Sequence, residues 1–241
     1  MPDNIFEHPS LAAIYDALDS DRADLDVYVG IVDELGARRL LDVGCGTGTF
    51  ALMLAGRGLE VTGLDPANAS LDVARAKPDA ERVRWIHGDV TALPPLQVDM
   101  TTMTGNVAQA IVAASDWDAT LRRVHDALRA RGHLVFESRD PAYKAWRVWN
   151  RSASYRATNI EGLGTVEHWL DLIDLRLPIV SFRGTWVFPD GEVLTSHSTL
   201  RFRERDEIAE ALIDHGFVVD EIRDAPDRRG REFVFFARRR Q

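Results

Sequence analysis

The chain has a single cysteine, Cys45, among its 241 residues. One thiol closes no internal disulfide and supplies no C-x-x-C pair, so a disulfide scaffold and a cysteine-based zinc site are both excluded. The seven histidines fall at no metal-ligand spacing, and no metal is expected. Long apolar runs are missing as well. None approaches the roughly 18 residues of a membrane-spanning helix. The opening MPDNIFEHPS lacks the basic start and apolar stretch of a signal peptide. A cytoplasmic protein with no membrane partner is the expectation. Positive charge is in deficit, with 29 Lys and Arg against 38 Asp and Glu for a net −9. General electrostatics therefore favours neither nucleic acid nor an anionic lipid surface, and no nucleic-acid partner is expected. The Arg-rich C-terminal RRRQ reads as a solvated end.

What is present is an alternation of strand and helix patterns. Residues 11–18 and 24–35 are spaced as helices, the second with Leu25, Tyr28, Val32 and Leu35 on one face before Gly36. Strands are expected at 39–43, 60–64, 83–87, 98–103 and 133–137, with helices at 49–55, 67–76 and 117–130 between them. Gly132 is the expected stop of the last of these helices. Strands separated by helices imply a parallel sheet covered on both faces. From residue 142 to 203 the pattern changes. TVEHWLDLIDLRL (165–177) alternates as a strand does, and IVSFRGTWVF, the turn Pro189-Asp190-Gly191 and EVLTSHSTLRF read as a hairpin. A helix at 206–215 and strands at 217–222 and 232–237 close the chain. The expected architecture is α/β: a seven-stranded, mostly parallel, doubly wound sheet with a β-rich insertion after strand five. Residues 1–140 and 201–241 would form the core and residues 141–200 the insertion, which is long enough to be functional.

Between the first strand and its helix stands LLDVGCGTGTF, residues 40–50. An open α/β sheet places its ligand there, where bare glycines admit a close ligand and the helix start offers free N–H groups. A nicotinamide or flavin site would read G-x-G-x-x-G. Here the glycines are Gly44, Gly46 and Gly48, and Thr49 stands where the third glycine of that fingerprint belongs. Asp42, just ahead of the loop, would repel a pyrophosphate but suits a ligand with a positive amino group. S-adenosylmethionine has an ammonium, a carboxylate and a sulfonium, and no phosphate. Asp65 closes the second strand, where an acid can accept both ribose hydroxyls. Asp89 follows the third strand, where it can accept from an adenine amino group.

These segments, LDVGCGTG, VTGLDPANASLDVARAK, HGDVTALP and VDMTTMTGNVAQAI, resemble those of the class I S-adenosylmethionine-dependent methyltransferases of small-molecule type. The resemblance spans about residues 36–140, and 200–241 by topology, where the last two strands would form an antiparallel hairpin. It implies S-adenosyl-L-methionine as cofactor. Gly44, Cys45 and Gly46 would lie against the methionine part, with Asp42 near its amino group. Asp65, with Pro66 beside it, would hold the ribose, and Asp89 with the N–H of Val90 would read the adenine. Thr104 and Gly105 would pass the methionyl end, and Tyr15 matches a tyrosine that some members use as a cover. Ala67 and Ser70 stand where many members have Ser and Met.

Methyl transfer requires an in-line nucleophile and exclusion of water, and it can proceed without a base. Residues for the acceptor are therefore expected at strand ends and in the insertion. Glu137, Arg139 and Asp140 would line the crevice, with Arg139 pairing either with an acidic group of the acceptor or with Glu137 or Asp140. Tyr143, Trp146, Trp149, Trp169 and Trp186 either form the core of the insertion or wall a pocket for the acceptor. His168, mid-insertion among aromatics, is the one histidine nominated as a base, and otherwise it is a structural histidine. Three other readings stay open: an oxidoreductase, disfavoured by the glycine spacing; a nucleic-acid methyltransferase, disfavoured by charge and by TTMTGN after strand four; and a non-catalytic cofactor-binding module. The sequence leaves the oligomeric state open.

Overall fold

A computed structural model describes residues 2–240. In chain order the elements are α1 (Asn4–Glu7), α2 (Pro9–Leu18), α3 (Ala23–Leu35), β1 (Arg39–Val43), α4 (Thr49–Gly56), β2 (Glu60–Asp65), α5 (Asn68–Ala76), β3 (Val83–His87) and β4 (Val98–Met103). There follow α6 (Val107–Ala110), α7 (Ala114–Ala127), β5 (Leu128–Arg139), α8 (Arg151–Ser154), β6 (Arg156–Ile160), β7 (Gly164–Arg176), β8 (Ile179–Val187), β9 (Val193–Arg201), α9 (Arg205–Asp214), β10 (Phe217–Asp224) and β11 (Glu232–Arg239).

The larger sheet has seven strands in the order β10-β11-β5-β4-β1-β2-β3. The pairs within β5-β4-β1-β2-β3 are parallel, and β11 runs antiparallel to both β5 and β10. Period-two alternation sends side chains to the two faces. Leu41, Leu64, Met103, Leu134, Phe136 and Phe235 join α7 and α9 on one side. Leu40, Val61, Met100, Val135, Val234 and Phe236 join α3 and α4 on the other. The chain leaves β1 toward β2 on one side, while β4 pairs on the other. The switch point of this doubly wound sheet is thus the crevice at the carboxyl ends of β1 and β4, where such sheets bind ligands.

The segment after β5 carries a second, antiparallel sheet in the order β6-β7-β8-β9. Part of one face packs on Trp146, Trp149 and Phe202, and part on Ile5, Leu11 and Ile14 of the N-terminal helices. Those helices strap the two sheets together. The Ile5 N–H donates to Ser196 Oγ at 2.9 Å and Asn4 Nδ2 donates to the Thr195 carbonyl at 3.0 Å. On the other side, Glu7 accepts from the Asn68 N–H at 2.8 Å and Ser70 Oγ donates to the Phe6 carbonyl at 2.8 Å. Ser70 therefore anchors the strap to the core. Among the described residues no helix is long and apolar enough to cross a membrane.

The boundary between α7 and β5 departs from the sequence expectation. The helix stops at Ala127 rather than 130, and β5 begins at Leu128. Leu128 is fully buried and pairs with Val98, while Arg129 Nε is 2.7 Å from Asp99 Oδ1. These tertiary contacts outweigh the helical spacing, and Gly132 lies inside the strand rather than ending the helix. The edge strand β6 was not expected either; its residues are mostly exposed and show no alternation of apolar positions.

Candidate functional site

The carboxyl end of β1 carries Asp42, which is buried. Its Oδ1 accepts from Thr102 Oγ1 of β4 at 2.9 Å. Its Oδ2 is buried with no protein partner. Burial pushes the carboxyl up to about 7; the Thr102 bond opposes this, and the nearby Asp65 and Glu137 add to it. An unpaired buried carboxylate oxygen is costly, and an arriving cationic donor would satisfy it.

The loop after β1 is fixed by backbone bonds. The Gly44 and Cys45 N–H groups donate to the Leu64 carbonyl at 2.8 and 3.1 Å. Gly44 and Gly46 both have positive φ, 74° and 54°, but for different neighbours. A Cβ at Gly44 would lie 2.4 Å from Val107 Cγ2, so internal packing demands that glycine. A Cβ at Gly46 would meet nothing within 4 Å. At Gly46 the bare backbone borders open space that a ligand can fill. Gly105, just after β4 and also bordered by open space, faces the same crevice end of the sheet.

Asp65 ends β2 and is buried, which raises its pKa despite its backbone bonds. Its Oδ2 accepts from the Gly46 N–H at 2.7 Å and its Oδ1 from the Ala67 N–H at 2.8 Å. One carboxylate thus ties the glycine loop to the start of α5. Pro66 is exposed, and its carbonyl lies 3.1 Å from His87 Nε2. Asp89 is exposed and accepts from the Thr91 N–H and hydroxyl at 2.8 and 2.6 Å, bonds that lower its pKa. Val90 beside it is buried. Cys45 is buried, and burial raises its thiol pKa well above the ordinary value, which removes thiolate character.

The helix α2 closes against this loop. Tyr15 is half-buried, with its ring 5.5 Å from that of Phe6. Asp16 accepts from Thr47 Oγ1 at 2.6 Å and pairs with Lys77 Nζ at 2.5 Å, and Lys77 also donates to the Thr47 carbonyl at 2.8 Å. No local sequence pattern signals this three-way contact between α2, the glycine loop and the residue after α5.

At the ends of β4 and β5 the arrangement differs from the open acidic cluster expected. Glu137 is buried; its Oε2 accepts from the Tyr28 hydroxyl and its Oε1 from the Asn106 N–H at 2.6 Å. With both oxygens engaged it braces the loop holding Thr104 and Gly105. Burial pushes its carboxyl up to about 7, against the lowering effect of those two bonds. Arg139 pairs with neither Glu137 nor Asp140. Its Nη1 donates to Gln109 Oε1 at 3.0 Å and its Nε lies 3.6 Å from Glu232. Asp140 instead caps the next turn through the Ala142 N–H at 2.8 Å.

Trp146 is buried edge-on to Phe202, with ring centroids 4.8 Å apart. Trp149 meets Phe182 at 4.6 Å, and Trp186 joins the strap cluster. Tyr143 is exposed beneath the Arg231 guanidinium, 5.2 Å from its centroid. His168 is half-buried on β7, opposite Trp186 and Arg156 in register. Burial lowers its pKa, and its Nδ1 has no partner. Among the described residues no cluster of ligating side chains could hold a metal.

The two raised carboxyls give a stability prediction. A folded-state pKa above the unfolded value means that the folded protein holds the proton more tightly. The stability this contributes is present below the unfolded pKa and is lost as pH rises through about 7. The unliganded protein should therefore melt at a higher temperature at about pH 6.5 than at about pH 8, and Asp42→Asn should flatten that slope. A melting temperature that rises across this interval, as followed by circular dichroism, would contradict this prediction.

Residues 40–132 match the family described as Methyltransferase domain. A putative methyltransferase of Geobacillus sp. is 31% identical over 140 residues, 54% of this chain and 56% of that protein. The malonyl-[acyl-carrier protein] O-methyltransferase of Serratia marcescens is 31% identical over 128 residues, 53% and 49% of the two chains. The matched region thus spans about half the length of these curated relatives. Among solved structures, an S-adenosylmethionine-dependent methyltransferase from Clostridium acetobutylicum superposes with a TM-score of 0.77 over 96% of this chain and 98% of its own, at 17% identity. CalS10, an amino pentose methyltransferase from Micromonospora echinaspora solved with SAM bound, gives 0.71 over 94% and 96%, at 22% identity. At such identities the likeness is one of fold.

Proposed function

We propose, from the match of residues 40–132 to a methyltransferase-domain family and from the fold shared with an S-adenosylmethionine-dependent methyltransferase, that the chain transfers a methyl group from S-adenosylmethionine to an oxygen or nitrogen of a small-molecule acceptor. The observation that carries this reading is the unpaired, buried Asp42 Oδ2 at the carboxyl end of β1, together with the open space at Gly46 in the loop that follows. A ligand with an ammonium and no phosphate fits that pair, and a pyrophosphate does not. Asp42 would take the ammonium and Gly44, Cys45 and Gly46 would border the methionyl chain. Asp65 and Pro66 would border the ribose, Asp89 and Val90 the adenine, and Thr104 and Gly105 the methyl end. Tyr15 would cover them. S-adenosylmethionine, when bound, supplies an electrophilic methyl carbon on a sulfonium that departs as a neutral thioether.

The residues of the chain then have to position the acceptor and exclude water. Residues 141–200 would serve as a cap for this purpose. Support comes from the strap, whose helices bond both to β9 and to α5 and hold the second sheet to the core. His168, whose pKa burial lowers and whose Nδ1 has no partner, is the base proposed for an acceptor that releases its proton inside the site. The small-molecule acceptor agrees with the named activity of the amino pentose methyltransferase that shares the fold.

Incubation with S-adenosylmethionine and panels of amines, phenols and carboxylic acids, read by product mass, tests the reading. A methylated product with matching S-adenosylhomocysteine is expected. Cofactor binding without any turnover would leave a binding module. Given the net charge of −9, no shift of duplex DNA or RNA is expected in low-salt gels. A retarded band that weakens steeply with salt would turn the reading toward a nucleic-acid acceptor.

A further inference from the structure

Outside the cofactor loop, unpaired buried polar atoms gather at the carboxyl ends of β4 and β5. Gln109 is buried, and its Oε1 accepts from Arg139 Nη1. Because a guanidinium only donates, the amide orientation is fixed and Nε2 is the free end. That Nε2 is buried with no partner. Asn106, also buried, donates Nδ2 to Glu232 Oε1 at 3.2 Å. A carboxylate only accepts, so the orientation of this amide is fixed too, and its Oδ1 is the buried atom without a partner. One unpaired donor and one unpaired acceptor thus stand on α6 and the residue preceding it, directly after Gly105.

The charge beside them is incompletely matched. Arg139 Nη2 has no protein partner among the described residues. The carboxylate within ion-pair reach of Arg139, Glu232, is shared with Arg228, whose Nη1 lies 3.2 Å from both of its oxygens, and Glu137 acts on Arg139 from farther off. Arg228 meets two further acids, Asp227 at 3.3 Å and Asp24 at 3.7 Å. Glu137 is occupied by Tyr28 and Asn106. Arg139 is therefore a half-buried cation that shares its nearest carboxylate with a second arginine, is held in place by Gln109, and has Tyr15 of α2 within its electrostatic reach.

We propose that Arg139, Gln109 and Asn106 form the acceptor subsite, and that the acceptor is a small carboxylic acid with its amino or hydroxyl nucleophile a few bonds from the carboxylate. This rests on the methyl-transfer reading above. The carboxylate oxygens accept from Arg139 Nη2 and Gln109 Nε2, and the N–H or O–H of the nucleophile donates to Asn106 Oδ1. A neutral sugar would leave the guanidinium short of charge. A phosphate would bring a second negative charge beside Glu232 and Glu137.

The test is calorimetric titration of protein saturated with S-adenosylhomocysteine, using glycine, 2-aminobenzoate and 2-hydroxybenzoate, each against its primary amide. At least one acid should bind about tenfold or more tightly than its amide, because the amide cannot pair the cation. Arg139→Gln should erase that preference, and Gln109→Leu should reduce it several-fold, with S-adenosylhomocysteine affinity unchanged in both. Gln109→Leu alters no charge and decides the matter if Arg139→Gln fails to fold. Equal binding of every acid and its amide, or a preference that survives both substitutions, would overturn the proposal. Failure of wild-type protein to bind S-adenosylhomocysteine would instead overturn the methyl-transfer reading, and this one with it.

Discussion

Asp65→Ala is expected to weaken binding of S-adenosylmethionine by about 1.5–3 kcal/mol, the range for hydrogen bonds to a charged acceptor. The substitution removes two functions at once. It takes away the acid that stands at the carboxyl end of β2, where ribose hydroxyls would be accepted. It also frees the Gly46 and Ala67 N–H groups, which donate to this carboxylate at 2.7 and 2.8 Å. Asp65→Asn separates the two, since its amide oxygen can still accept one of the backbone bonds. Calorimetry on both variants should rank them wild type, Asn, Ala. Unchanged affinity in Asp65→Ala would mean that the ligand does not reach the end of β2. The fold itself should survive, because the β1–β2 register depends on backbone pairing over Arg39–Val43 and Glu60–Leu64.

The second large effect is on stability. Trp146→Ala should destabilise the protein by about 3–5 kcal/mol, the usual cost of removing a buried indole and leaving a cavity. The ring is 6% exposed, stands edge-on to Phe202, and shares its cluster with Ala145, Trp149 and Val180. In a chain of this size such a loss lowers the melting temperature by on the order of 10 °C. Trp146→Phe should cost less, because most of the packing is kept. A loss under about 1 kcal/mol in Trp146→Ala, measured by urea unfolding, would show that the indole is not part of the insertion's core. Any fall in methyl transfer in this variant has to be read against its folded fraction.

The sequence made the parallel core legible for a definite reason. In β1 and β4 alternate apolar residues feed opposite helical layers, as Leu40 and Leu41 do and as Met100 and Met103 do. The glycine loop was legible because three positive-φ positions in five residues leave few alternatives to glycine. Asp42 and Asp65 followed from their places at strand ends. What could not be read were pairings between distant segments. Tyr28 meets Glu137 across 109 positions, Asn106 meets Glu232 across 126, and Ile5 meets Ser196 across 191. Nothing local in Glu137 says that its carboxyl turns inward to brace Asn106, nor in Arg139 that its partner lies on β11. The α7–β5 boundary failed for the same reason, since the Asp99–Arg129 contact that fixes it is tertiary.

The central claim is that the crevice between β1 and β4 is built for an amino-bearing sulfonium rather than a dinucleotide. Isothermal titration of the wild-type protein with S-adenosylmethionine, S-adenosylhomocysteine and NAD tests it directly. The two sulfur ligands should bind at a single site and NAD should give no heat of binding, because Asp42 opposes a pyrophosphate and the third glycine of the dinucleotide fingerprint is Thr49. NAD binding as tightly as S-adenosylhomocysteine would contradict the account.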